Sequence, residues 1–128
     1  QSTVAGHNYE SLLYAVSSGV DPDSYAYWHS SQADIRSSSR LNFSEYKSSL
    51  ADNALLAGRS RSDPKIRAVK YEPFLRAWTA DNPALALYQP RYLFVVRQPF
   101  YNFNVDSLVT PADRYNNVER WMMREGVR

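Results

Sequence analysis

The chain carries only two histidines, His7 and His29, and no cysteine. Nucleophilic or general-base chemistry would need one of these imidazoles beside a hydroxyl and a carboxylate. His29 follows Asp21 and Asp23 into a serine-rich stretch, so a Ser–His–Asp trio is available in principle. Triads are defined by geometry, and among so many serines such trios arise by chance. The sequence therefore predicts a partly buried, hydrogen-bonded His29 rather than a catalytic one. Neither histidine sits in a metal-ligand pattern, because there is no H-E-x-x-H and no second His at helical spacing. Absence of Cys excludes a disulfide scaffold and any thiolate-ligated metal. Gly6, Gly19, Gly58 and Gly126 lie too far apart for a phosphate-cradling loop or a dinucleotide fingerprint. Asp21 and Asp23 flank Pro22, and carboxylates in such a turn more often cap backbone amides than move protons. No enzymatic activity, metal or cofactor is expected.

Binding chemistry is better represented. Tyr25, Tyr27, Trp28, Tyr46, Trp78, Tyr88 and Tyr92 could line a pocket or stack on sugar rings or bases. Trp78 falls on the inner stripe of a predicted helix and reads as core, whereas Tyr25, Trp28 and Tyr88 flank loops, where site residues concentrate. Arg59, Arg61, Lys65, Arg67 and Lys70 form the densest basic run, interrupted by Asp63 and Glu72. On helices such a run is a solvated face, and a net charge of +2 releases few counterions, so no nucleic-acid partner is expected.

These residues must be positioned by one domain's worth of chain. The 128 residues are 44% hydrophobic, and 10 Tyr, 5 Phe and 3 Trp supply more apolar surface than a disordered segment carries. No apolar run approaches the roughly 18 residues of a spanning helix. Gln1-Ser2-Thr3-Val4-Ala5-Gly6 is not a signal peptide, and the start without Met predicts a piece of a longer protein. Tyr9-Glu10-Ser11-Leu12-Leu13-Tyr14-Ala15-Val16 predicts a mostly buried strand. Asp23 or Ser24 could cap a short helix through Trp28-His29, and residues 30–44 read as a loop. Ser48-Ser49 start a helix to about Arg59, with Ala51, Ala54 and Leu55 inside. Asp63-Pro64 open a second helix to about Asp81, its apolar stripe running through Ile66, Val69, Lys70, Pro73, Phe74, Ala77 and Trp78. Pro73 removes an N–H and crowds the Val69 carbonyl, which predicts a kink or break there. Short strands are expected at residues 84–88 and 92–96, with Pro90 at a bend. The order predicts an α/β unit in which packed helices cover a small mixed sheet.

The motifs also come in a telling order. Tyr9-Glu10-Ser11-Leu12-Leu13-Tyr14 and Gly19-Val20-Asp21-Pro22-Asp23-Ser24-Tyr25 are followed by Leu41-Asn42-Phe43-Ser44-Glu45-Tyr46. Then come Asp52-Asn53-Ala54-Leu55-Leu56-Ala57-Gly58-Arg59, the Asp63-Pro64 to Trp78 stretch, Asp81-Asn82-Pro83-Ala84 and Leu87-Tyr88-Gln89-Pro90. Asp113-Arg114-Tyr115-Asn116-Asn117-Val118 with Trp121 completes the series. In this order the chain resembles the C-terminal part of the family 5 extracellular solute-binding proteins, the peptide-, dipeptide- and nickel-type receptors of ABC importers. Glu45 stands where that family usually has Gly.

The resemblance implies part of the C-terminal lobe of a periplasmic-binding-protein-like (type II) fold. Residues 1–8 would be a poorly ordered lead-in, residues 9–87 a lobe segment with hinge strand, loop and helices. Residues 88–128 would return to pack partly on an N-terminal lobe of the same protein. It implies transport rather than catalysis: capture of a solute, a peptide above all, and its delivery to ABC permease subunits, with no direct membrane insertion of this segment. The location implied is periplasmic or extracellular, with lipoprotein tethering through the preceding part as one arrangement. By the same resemblance the solute contacts would be Ser17, Ser18 and Asp21 in the loop after the hinge strand, Asn42 in the later loop, and Tyr88 at the return crossing, with Trp28 added as a loop-flanking aromatic. Peptide-binding relatives place an Asp against the ligand's α-amino group, and the matching position here is Ser18, which lacks the ion pair. Asp21 is one substitute for it. A self-contained carbohydrate- or protein-interaction module built on exposed Tyr and Trp is the alternative reading.

Overall fold

The computed structural model describes residues 2–17, 19, 21–90, 93, 95, 100–103 and 110–123. The chain divides into two compact units, Gln1–Ala86 and Leu87–Arg128. In the first unit, α1 (Ser2–Ala5) is a single turn, α2 (Tyr25–Trp28) is another, and α3 (Ser49–Arg59) and α4 (Pro64–Asp81) are the long helices.

Both long helices begin where their caps dictate. Ser48 accepts the Ala51 N–H at 3.4 Å, and Asp63 Oδ1 accepts those of Lys65 and Ile66 at 2.9 and 3.0 Å. These bonds satisfy donors that a helix start otherwise leaves unpaired. Pro64 follows at the position where its missing N–H costs nothing. At the far end Asn82 adopts a left-handed conformation (φ 47°) and its N–H bonds the Trp78 carbonyl, which stops α4. The helix runs unbroken through Pro73, contrary to the expected break. Pro73 lies on the exposed side, where water can reach the carbonyl it leaves without a donor.

The core lies between these two helices and the loop before them. Ala51, Ala54 and Leu55 of α3 meet Tyr71, Phe74 and Ala77 of α4, and Tyr46 joins from the loop. Half-buried Tyr25, Trp28 and Trp78 pack against this cluster. Gly58 sets the helix–helix distance: a Cβ there would fall 2.6 Å from the Tyr71 ring. The buried stripe of α4 is rotated from the expected one, since Ile66 and Val69 are exposed while Tyr71 is buried. Burying an aromatic ring in the gap opened by Gly58 removes more apolar surface than burying the aliphatics would.

The predicted α/β unit with a small mixed sheet is not what forms. The first unit is helical, and its core is helix against helix with no sheet layer among the described residues. Residues 11–17 carry no regular secondary structure and join no ladder among the described residues, and Leu13, Tyr14 and Val16 are exposed rather than buried. Residues 85–90 likewise carry no regular secondary structure, with Leu85, Leu87 and Tyr88 exposed. Aromatic and aliphatic composition suits a ladder, but a ladder requires a second edge, and none is offered among the described residues. The expected type II binding-protein lobe, which rests on that sheet, is corrected with it.

In the second unit, β1 (Phe100–Tyr101) pairs antiparallel with β2 (Met122–Met123), Phe100 opposite Met123. Between them 3₁₀ turns span Pro111–Tyr115 and Val118–Arg120. Trp121 packs edge-on against Phe103 at 5.1 Å, and its Nε1 donates to Asn117 at 2.9 Å. The expected strand over residues 92–96 falls mostly outside the described residues.

Candidate functional site

The loop after the extended segment is organised by its aspartates. Asp21 Oδ1 accepts the Asp23 N–H at 2.9 Å, and Asp23 Oδ1 accepts the Tyr25 N–H at 3.0 Å. Each carboxylate folds its own turn, the behaviour expected of Asx residues beside proline. Each also meets an arginine: Asp21 pairs with Arg67 from the first turns of α4, and Asp23 with Arg59 from the end of α3 at 3.1 Å. The Arg67 hydrogen bond holds the Asp21 carboxyl below the usual carboxylate range, and Arg67 is held above its own ordinary value by the same bond. Arg67 also donates to the Tyr71 hydroxyl at 3.4 Å, and its guanidinium lies 5.6 Å from that ring.

Beyond the turn the aromatics engage different partners. The Arg59 guanidinium covers the Tyr25 ring at 4.2 Å, and the His29 ring stacks on Tyr25 at 4.1 Å. Trp28 meets Trp78 edge-on at 5.4 Å, and the Tyr27 hydroxyl reaches the Ser17 carbonyl at 3.5 Å. The His29 Nδ1 accepts the Ser31 N–H at 3.1 Å and lies 2.9 Å from the Ser31 Oγ. Its Nε2 is 3.9 Å from Asp52 Oδ1, beyond hydrogen-bond reach, and that oxygen already accepts the Ser30 N–H at 2.8 Å. Tyr25 and Gln32 share the Ser31 hydroxyl, both at 3.0 Å. Ser31, His29 and Asp52 thus spend their bonds on shaping the loop.

Asn42 is fully buried and is the polar hub of the first unit. Its Oδ1 accepts the Tyr46 N–H at 3.0 Å and the Ser44 hydroxyl at 3.2 Å. Its Nδ2 donates to the carbonyls of Tyr46 at 2.8 Å and His29 at 3.1 Å. Every hydrogen-bonding position of the amide is filled from within the chain. Tyr46 continues the connection, donating to Asp81 at the end of α4 at 2.7 Å, and burial pushes the Tyr46 hydroxyl above its ordinary value, with Asp81 adding to the shift.

The residues expected to touch solute therefore do not all occupy one surface. Ser17 and Asp21 are exposed and adjoin the Asp-Pro-Asp turn, Trp28 is half-buried against Trp78, and Asn42 is enclosed. Tyr88 is 84% exposed within the second unit, and Ser18 lies outside the described residues. Arg59 and Arg67 were legible only as members of a basic run. The spacing of Arg67 from Tyr71, Phe74 and Trp78 was the available sign that it faces inward. A shallow concavity on the outer side of α4, lined by Glu72, Leu75, Arg76, Thr79 and Ala80, holds none of the candidate residues. Among the described residues no three His, Asp or Glu side chains gather as a metal site, and no helix is long and apolar enough to cross a membrane. The chain matches no protein-family model, no curated protein and no solved structure.

Proposed function

We propose that this chain is the C-terminal part of an extracytoplasmic solute receptor that captures a solute, a peptide above all, and hands it to an ABC importer. The observation that carries the reading is the contrast between a packed helical centre and its apolar, exposed flanks. Motifs far apart in sequence interlock in that centre through Asn42, Tyr46, Asp81, Trp28 and Trp78. The flanking segments, which carry no regular secondary structure, expose Leu13 at 84%, Leu85 at 84% and Leu87 at 62%. Exposed apolar segments of this kind suit burial against another part of a protein. In such a receptor no covalent step occurs, and closure expresses the solute's higher affinity for the closed state. Calorimetric titration with a peptide library, run on this chain and on the longer polypeptide containing it, tests the reading. Binding by the longer polypeptide with little by this chain is expected. Tight binding by this chain alone would contradict it.

A further inference from the structure

The first residues of the chain are clasped to the turn that Asn42 organises. The Tyr9 hydroxyl donates to the Phe43 carbonyl at 2.6 Å, and His7 Nδ1 lies 3.3 Å from Glu45 Oε1. The His7 and Tyr14 rings both meet the Phe43 ring edge-on, at 5.7 and 4.6 Å. The His7 side chain is thereby only 2% exposed, while Glu45 beside it stays 55% exposed. A carboxylate only accepts, so a neutral His7 ring carries its proton on Nδ1 and donates it to Glu45. Nε2 is then a bare lone pair, buried with no hydrogen-bond partner among the described residues. Both His7 and Glu45 hold left-handed backbone conformations, φ 51° and 52°, so the clasp is kept against a backbone cost.

Imidazoles ordinarily change charge between pH 5 and pH 8. Glu45 faces this ring from the turn, and Tyr9 faces it from its own segment, with 6.1 Å between ring centres. Burial, with Glu45 adding, holds the Tyr9 hydroxyl above its ordinary value, so Tyr9 stays neutral throughout that range. A second proton on His7 enters at Nε2, where no described group accepts it. Two effects then oppose each other. The exposed Glu45 carboxylate favours the imidazolium by at most about fivefold, the reach of a solvated ion pair. A buried charged N–H without an acceptor disfavours it by about fiftyfold, so the second effect wins by about tenfold.

We propose that His7 is the catch of a pH-sensitive strap, which holds residues 7–14 on the turn at residues 42–46 above neutral pH and slackens on acidification. The open strap binds the proton better than the closed one, so falling pH shifts the balance toward open. Opening uncovers the Phe43 ring and frees the segment leading into residues 11–17 from the helical centre. The strap does not depend on what the protein binds.

Amide hydrogen exchange at Asn8 tests the strap in this chain. The Asn8 N–H donates to the Thr3 carbonyl at 2.9 Å, closing the single turn of α1. A four-residue helix does not persist unaided, so protection at Asn8 reports the closed strap. The protection factor, corrected for the intrinsic rate at each pH, is expected to fall about tenfold from pH 8 to pH 5. His7→Phe, which keeps a ring against Phe43 and takes no proton, should show no such fall. A fall of the same size in His7→Phe assigns the effect to another group, His29 included, and overturns the proposal. Glu45→Gln decides if His7→Phe disturbs the fold. Without its counter-charge the imidazolium is less tolerated, so the fall should steepen by up to about fivefold, and an unchanged fall overturns the proposal. A wild-type protection factor that stays flat or rises on acidification also overturns it, whatever the variants do.

Discussion

Replacing Asn42 with Ala asks whether this residue holds the first unit together. The substitution strips partners from the Tyr46 N–H, the Tyr46 carbonyl and the His29 carbonyl, all bonded to Asn42 within 3.1 Å. A buried polar backbone group left without a partner costs about 1–3 kcal/mol. The His29 carbonyl is partly solvated and can recover a water, so the expected loss is about 3–5 kcal/mol rather than the full sum. That is a large part of the stability of a domain this size. Urea denaturation followed by tryptophan fluorescence reads it, since Trp28 and Trp78 sit against the core. A loss below about 1 kcal/mol would mean that Asn42 is dispensable to the fold, and the account of it as a hub would be wrong. Asn42→Asp separates the roles of the two amide atoms: it keeps the acceptor for the Tyr46 N–H but turns a charge toward two carbonyls. It should therefore destabilise at neutral pH and recover partly when the carboxyl is protonated.

Gly58→Ala gains helix propensity yet drives a methyl into Tyr71, and a net loss of about 1–2 kcal/mol is expected in the same assay, largely relieved when Tyr71→Leu is added. Asp63→Ala removes two capping bonds and should cost about 1 kcal/mol, with Asp63→Asn or Asp63→Ser costing less. Tyr46→Phe deletes the bond to Asp81 and should lower stability by about 1 kcal/mol, an effect that vanishes in an Asp81→Ala background. The Asp21 carboxyl titrates lower in the folded chain than in the unfolded one, so its stabilisation is complete above the ordinary carboxylate value near pH 4 and disappears as pH falls through the depressed folded one. Denaturation midpoints between about pH 5 and pH 2 should accordingly fall more steeply for the wild type than for Asp21→Asn; parallel curves would show the Arg67 pair to be inert.

The long helices were legible because their boundaries are written in local chemistry: Ser48, Asp63-Pro64 and Asn82 act within a turn of where they stand. The face of α4 that turns inward was read only in part. Periodicity admits both the Ile66–Val69 stripe and the Tyr71–Phe74 stripe, and the choice depends on the gap at Gly58 of another helix. The sheet was misread for a related reason. Residues 9–16 and 84–88 have strand composition, but composition carries no information about whether a partner edge is present. Asn42 was identified as important through resemblance, as a solute contact, whereas its amide is used up inside the first unit. The Asn-Phe-Ser-Glu-Tyr order could have indicated this, since Asn at the head of a tight turn commonly bonds the backbone a few residues on. The pairing of Asp21 and Asp23 with Arg67 and Arg59 lay beyond sequence reading, because the partners are brought together by tertiary packing alone.

The most direct measurement of the central claim is residue-resolved amide hydrogen exchange across residues 11–17 and 85–90. The account predicts rapid exchange in this chain by itself, where those amides join no ladder among the described residues, and strong protection once the rest of the receptor is covalently present, while α3 and α4 are protected in both. Protection of the two flanking segments in the chain alone, or their continued rapid exchange in the longer polypeptide, would contradict it.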